Sequence, residues 1–137
     1  MDMQFSNALF PDRDPVLATR SGSLFLKLCE AVPRVAVPDL LQRVEAHLAE
    51  IHAQYRQNEF LDIELADRVA EQVRRLLGAY ADYGAEQQRL IIGAARYFAA
   101  ANDEESDIHS IFGMEDDVRI LNYVLAQIGE PEHRIEP

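Results

Sequence analysis

Apolar residues recur through the chain at the spacing of amphipathic helices. One stripe follows Pro38, which suits a first helical position, and it consists of Leu41, Val44, Leu48, Ile51 and Tyr55. Another opens at Asp62 and consists of Ile63, Ala66, Val69, Ala70, Val73, Leu77 and Tyr80. Because steps of three and four residues fall on one face of a helix, each stripe predicts a helix that buries this face.

The second half of the chain predicts two more helices. The third begins near Ala85, after a break at Gly84, and carries Leu90, Ile91, Ala94, Ala95, Tyr97, Phe98 and Ala101. Its Gly93-Ala94-Ala95 patch would allow a neighbouring helix to approach closely. The fourth runs from about Met114 to Ile128, with Gly129 as C-terminal cap and Pro131 just beyond.

The ends of the chain lack such periodicity. Residues 1–22 contain proline, aspartate and Ser-Gly turn chemistry, and they predict an irregular lead-in. A short helix opened by Ser23 is predicted over residues 24–31, with Pro33 ending it. The tail, residues 130–137, is expected to fray.

These elements predict a single all-α domain over residues 1–137. No segment alternates with the period of two that is typical of strands, and 137 residues suffice for one core but not for two. Four principal helices joined by short connections favour an antiparallel bundle with a short extra N-terminal helix.

The chain is strongly acidic, with 24 acidic and 13 basic residues and a formal net charge of −11. Such a charge repels phosphate backbones and anionic lipid, so we expect neither a nucleic-acid partner nor a membrane partner. Cys29 is the single cysteine, which excludes an internal disulfide and a cysteine-based zinc cluster. The N-terminus shows no secretory signal, and we expect a cytoplasmic protein.

The acids concentrate in residues 97–118, where two interpretations compete. In the structural one, Gly113 turns the chain, and Glu115, Asp116 and Asp117 then occupy the first turn of the last helix, where carboxylates are favourable. In the other, carboxylates converge on a divalent cation, although the EF-hand spacing fails. The candidate metal ligands are Asp103, Asp107, Asp116 and Asp117.

The same stretch resembles a family signature. The matching residues are Asp103, Asp107, Gly113, Asp116 and Asp117. In type and spacing they are similar to the signature of the bacterial YkvA-like family of small helical domains of unknown function, although Ser106 replaces its usual proline. The resemblance covers about residues 97–128. It implies a helical fold with a shared loop, and it implies no established activity.

No complete catalytic set is visible in the sequence, so we expect a non-enzymatic protein. The favoured function is a protein-interaction module with a protein partner or self-association, for which the five tyrosines and the apolar run 24–28 could supply contact residues. The alternative is a divalent-cation-binding domain that uses the acidic loop 103–117. We expect no cofactor other than such a cation.

Overall fold

The computed structural model describes residues 15–55, 63–100 and 106–136, with the backbone alone for residues 16, 100 and 106–113. Five α-helices lie in these ranges: α1 (Arg20–Leu28), α2 (Val37–Tyr55), α3 (Ile63–Gly78), α4 (Ala85–Ala100) and α5 (Ser106–Gln127). Short 3-10 turns occupy Pro15–Ala18, Arg34–Ala36, Tyr80–Asp82 and Pro131–His133. The described residues contain no strand, and the predicted all-α class is confirmed. The antiparallel order of the four principal helices stays a prediction.

The three middle helices begin where the sequence places them. α2 begins at Val37, α3 at Ile63 and α4 at Ala85, each within one residue of its predicted start. The buried face of α3 follows its predicted apolar stripe. The buried face of α2 differs from its predicted stripe, because it consists of Val37, Leu40, Val44 and His47, and only Val44 belongs to both.

The central element is α4, which packs against the other four helices. Residues 90–95 are buried one after another, so this part of α4 has no solvent face. A helix that is apolar on all sides must be surrounded by other elements. The rest of the fold is therefore arranged around this segment of α4.

Gly93 lies where the end of α1 packs closely on α4. A Cβ atom at this position would lie 2.4 Å from Sγ of Cys29 and 2.9 Å from Cε1 of Phe25. It would also lie 3.3 Å from Cα of Cys29, and favourable contacts between carbon atoms need about 3.5–4.0 Å. The predicted close approach of a neighbouring helix is confirmed at Gly93.

The N-terminal helix differs from its prediction. It runs from Arg20 to Leu28, and Thr19 caps it by accepting a hydrogen bond at Oγ1 from the backbone N–H of Gly22, at 3.0 Å. The prediction that Ser23 opens the helix is wrong. Residues 15–22 form a 3-10 turn and the start of α1, so this part of the predicted irregular lead-in is also wrong, while residues 1–14 lie outside the described ranges.

The last helix also begins earlier than predicted, at Ser106 rather than at Met114. The predicted turn at Gly113 and the predicted first-turn positions of Glu115, Asp116 and Asp117 are therefore wrong, because all four lie inside α5. A glycine within a helix costs only about 1 kcal/mol relative to alanine, and burial of the apolar face of α5 outweighs this cost.

The C-terminal tail packs against α5, which contradicts the predicted fraying for residues 130–136, while residue 137 lies outside the described ranges. The side chain of Ile135 is only 3% exposed. The amide of Asn122 donates from Nδ2 to the carbonyl oxygen of Ile135 at 3.0 Å, and its Oδ1 accepts from the N–H of Ile135 at 2.8 Å. Through these two bonds, the side-chain amide of Asn122 satisfies both backbone polar groups of Ile135 and holds the tail on α5.

Glu130 holds the start of this tail. Its carboxylate accepts a hydrogen bond from Arg75 at 2.9 Å and another from the hydroxyl of Tyr83 at 2.7 Å. Burial works to raise the pKa of Glu130, but these two bonds outweigh it and leave the pKa below its usual value. The charged carboxylate therefore links α3, the turn after it and the tail.

We expect Gly93→Ala to lower the free energy of unfolding by about 1–3 kcal/mol, because the added methyl group overlaps α1. In an open helical site the same substitution would instead stabilise the protein by about 1 kcal/mol. Urea unfolding followed by circular dichroism measures the difference.

The matched control is Gly78→Ala at the end of α3, where an added Cβ meets no atom within 4 Å. This variant should be neutral or stabilised. In a double variant, Cys29→Ala removes the nearest overlapping atom and should recover part of the loss. Strict additivity of the two changes would contradict the contact between Cys29 and Gly93.

Ile135→Ala should cost about 2–5 kcal/mol in unfolding free energy, as expected for truncation of a buried isoleucine. The control is Val35→Ala, at a side chain that is 85% exposed, and it should change stability by less than about 0.5 kcal/mol. Equal, small effects of the two substitutions in thermal and urea unfolding would show that the tail does not contribute to the core.

Candidate functional site

The most unusual group in the described residues is the carboxyl of Asp117. It is 3% exposed, and neither Oδ1 nor Oδ2 has a hydrogen-bond partner in the structure. Nearly all buried polar side chains make such bonds, because an unpaired buried polar group costs free energy. Asp117 is therefore a costly residue whose presence calls for a physical explanation.

The register of α5 buries this carboxyl. Met114, Asp117, Leu121 and Leu125 are spaced at three and four residues and share one face of the helix. The three apolar members of this set are buried in the core. Because Asp117 lies on the same face of the helix as these three residues, it is buried together with them.

Three further polar side chains lie near this position. Ser21 on α1 donates a hydrogen bond from Oγ to Oδ2 of Asp116, the neighbour of Asp117, at 2.8 Å. Tyr97 on α4 is hydrogen-bonded to Ser21 and lies within electrostatic range of both aspartates. We call Ser21, Tyr97, Asp116 and Asp117 the carboxylate cluster, and it joins α1, α4 and α5.

The electrostatics of the carboxylate cluster follow from burial. Desolvation raises the pKa of Asp117 well above its usual value, and repulsion from Asp116 raises it further. Burial likewise raises the pKa of Tyr97 to about 12; the bond to Ser21 opposes this shift, while the two aspartates add to it. Asp117 and Tyr97 therefore hold their protons tightly, because burial leaves their charged forms poorly solvated.

The outer side of the cluster faces solvent. The side chain of Asp116 is 36% exposed, and Nη1 of Arg119 lies 3.6 Å from its Oδ1. Arg119 itself is 59% exposed, so this ion pair is a weak surface interaction. Asp116 is thus stabilised by two neighbours, whereas Asp117 behind it has none.

The structure brings together only part of the predicted metal site. Asp116 and Asp117 are adjacent on α5, and Asp103 lies outside the described residues. Asp107 is on α5 as well, but nine residues at a rise of about 1.5 Å each place its Cα about 13.5 Å along the helix from that of Asp116. Carboxylates so far apart cannot share one ion with ligand distances of about 2.3–2.6 Å.

The sequence patterns do not predict Ser21 and Tyr97 as members of a site, and they predict Asp117 at the start of a helix. The signal for Asp117 was available, since it interrupts the apolar face between Met114 and Leu121. Nothing in the sequence points to Ser21, because its partner is 95 residues away along the chain.

Other chemistry is limited in the described ranges. They contain no group of three or more His, Cys, Asp or Glu side chains arranged to hold a metal ion, and no helix there is long and apolar enough to cross a membrane. Burial raises the pKa of the Cys29 thiol to about 12, while Arg89 and Arg96 oppose this shift. The reactive thiolate form is therefore suppressed.

Asp117→Asn should make stability less dependent on pH. Folding raises the pKa of this acid, so the folded chain binds its proton more tightly than the unfolded chain and loses stability as pH rises. The stability gained by the variant should grow by about 1.4 kcal/mol for each pH unit above about pH 4, up to the pKa of Asp117 in the folded protein.

Urea unfolding at a series of pH values measures this gain. Asp39→Asn, at an exposed aspartate on α2, is the control and should differ from the unmodified protein by a nearly constant amount over the same range. A constant difference for Asp117→Asn too would contradict the burial of this carboxyl.

Comparisons with protein-family models, with curated proteins and with solved structures found no match. The resemblance of residues 97–128 to the YkvA-like family therefore stays a prediction. Two of its five matching residues, Asp116 and Asp117, lie in the carboxylate cluster.

Proposed function

We propose that this protein is a non-enzymatic, cytoplasmic interaction module that binds a protein partner through the connection between α1 and α2. Residues 31–38, which run from this connection into the first turn of α2, are called the α1–α2 turn. Val35 at its centre is 85% exposed, the higher exposure of the two exposed large apolar side chains in the described residues. Its neighbours Ala31, Pro33, Ala36 and Pro38 are exposed as well.

The α1–α2 turn is braced from behind by Tyr80. The buried hydroxyl of this residue accepts a hydrogen bond from the N–H of Val32 at 2.8 Å and donates one to the carbonyl oxygen of Val32, also at 2.8 Å. The N–H of Ala36 donates to the carbonyl oxygen of Pro33 at 2.9 Å and closes a 3-10 turn. The bonds between Tyr80 and Val32 and the bond between Ala36 and Pro33 therefore hold the backbone on both sides of Val35.

A braced turn suits recognition because binding need not order it. Immobilising a flexible loop lowers affinity, and preorganisation avoids this cost. Two prolines restrict the backbone further. Burying one valine side chain contributes about 1.5–3 kcal/mol, which is enough for an anchor residue in a partner's apolar recess.

Several of the tyrosines and apolar residues that the sequence favours as contact residues are buried in the core. Tyr80 and Tyr123 are 2% and 4% exposed and belong to the core. Phe25 in the apolar run 24–28 is fully buried, and Leu24 in the same run is 46% exposed. The proposal therefore depends on the exposure of Val35 together with the rigidity of its turn, and not on the aromatic residues.

The test is a photo-crosslinking amino acid placed at position 35 in the native host. We expect one discrete adduct, either with another protein or with a second copy of the chain, because a docked partner covers this position. The control carries the same group in place of Glu71, at an exposed site on α3, and should give no discrete adduct.

Val35→Asp provides the affinity measurement with whichever partner the adduct identifies. Binding should weaken by about tenfold or more, equivalent to at least about 1.4 kcal/mol, while thermal stability stays unchanged because the side chain is 85% exposed. Identical crosslinking patterns at positions 35 and 71, or unaltered binding by Val35→Asp, would exclude the α1–α2 turn as the contact surface.

A further inference from the structure

We propose that the carboxylate cluster of Ser21, Tyr97, Asp116 and Asp117 binds one divalent cation of the oxygen-preferring kind, Ca²⁺ or Mg²⁺. The cluster and the α1–α2 turn share no residue. This site therefore does not depend on the proposed interaction function.

The donor set fits a hard cation. It offers two carboxyl groups and two hydroxyl groups, and all four are oxygen donors of the kind that Ca²⁺ and Mg²⁺ prefer over nitrogen or sulfur. One or two carboxylates are a common protein contribution to a Mg²⁺ site, and Ca²⁺ accepts a larger and more irregular oxygen shell. The remaining ligands can be water on the solvent side.

The unpaired state of Asp117 is the observation that points to a ligand. Both of its carboxyl oxygens are buried and have no partner, although Ser21 and Arg119 both interact with the adjacent Asp116. A buried carboxylate is stabilised when a cation compensates its charge. A divalent ion between Asp116 and Asp117 would neutralise both carboxylates and supply the missing partner of Asp117.

One side of the cluster is open to solvent. Asp116 is 36% exposed, and Ser21 and Tyr97 are only partly buried, whereas both carboxyl oxygens of Asp117 are buried. An ion would therefore approach the cluster from the side of Asp116. Arg119 lies at this entrance and carries the same sign of charge as the ion, so it should oppose binding.

Calorimetric titration of the metal-stripped full chain with CaCl₂ or MgCl₂ tests the site. Ionic strength is held constant with NaCl, because any salt screens the repulsion within a chain of net charge −11. We expect saturable binding of one ion per chain. Asp117→Asn should weaken it by about tenfold or more, whereas Asp39→Asn should leave it unchanged.

Arg119→Gln is expected to act in the opposite direction and to tighten binding, since it removes the positive charge at the entrance. A purely structural role of the cluster predicts no effect of this substitution on ion affinity. The two substitutions, at Asp117 and Arg119, therefore separate ligand binding from a general change in stability.

Terbium luminescence locates the ion. Tb³⁺ replaces Ca²⁺ in oxygen sites and emits when a nearby tyrosine transfers excitation energy to it. The chain has five tyrosines and no tryptophan, and Tyr97→Phe should remove most of the emission. Tyr83→Phe, at the residue that bonds to Glu130, should retain it.

Three results would overturn the proposal. One is the absence of any heat or emission beyond that of the salt control. Another is equal ion affinity of Asp117→Asn and Asp39→Asn. The third is emission that survives Tyr97→Phe undiminished, which would place the ion elsewhere.

Discussion

Burial of α4 on every side is the constraint to which the rest of the fold conforms. The segment 90–95 has no polar side chain, so four helices must shield it. The absence of a side chain at Gly93 then determines how near α1 can come. One helical turn later, Tyr97 meets Ser21 of α1 and the aspartates of α5. The core packing and the polar cluster are thus consequences of the same helix contact.

Two acidic residues of this region, Glu130 and Asp117, are stabilised to different extents. Just beyond the end of α5, Glu130 has an arginine and a tyrosine as donors, and its charge is stabilised. In the middle of α5, Asp117 is buried without a donor, and its charge is disfavoured. The same residue class therefore contributes to stability at one site and reduces it at the other, according to whether a donor accompanies burial.

Sequence patterns located the elements whose apolar spacing was uninterrupted and failed where another signal competed. α2, α3 and α4 begin at their predicted positions because their stripes are regular. The start of α5 was predicted too late because glycine is typical of turns. Gly113 nevertheless lies within the helix, where a glycine costs only about 1 kcal/mol relative to alanine. Thr19 and Ser23 were equivalent as caps by residue type, and only the packing of α1 selects Thr19.

The site was harder to predict than the fold. Two of four expected ligands, Asp116 and Asp117, belong to the cluster, but their partners come from α1 and α4. Short-range spacing cannot reveal such partners, since they depend on how helices cross. Likewise, the docking of Ile135 by Asn122 has no local signal, because it needs a tail that folds back over α5.

The hydrogen bond between Ser21 and Asp116 also has a kinetic meaning, because it joins residues 95 positions apart. Forming this contact closes a long loop of chain, and the entropy lost in such a closure is not repaid by local contacts. α1 also covers Gly93 of α4 with Phe25 and Cys29, so the same helix contributes to the core and to the carboxylate cluster. The carboxylate cluster therefore depends on a long-range contact, in contrast to the local hydrogen bonds within each helix.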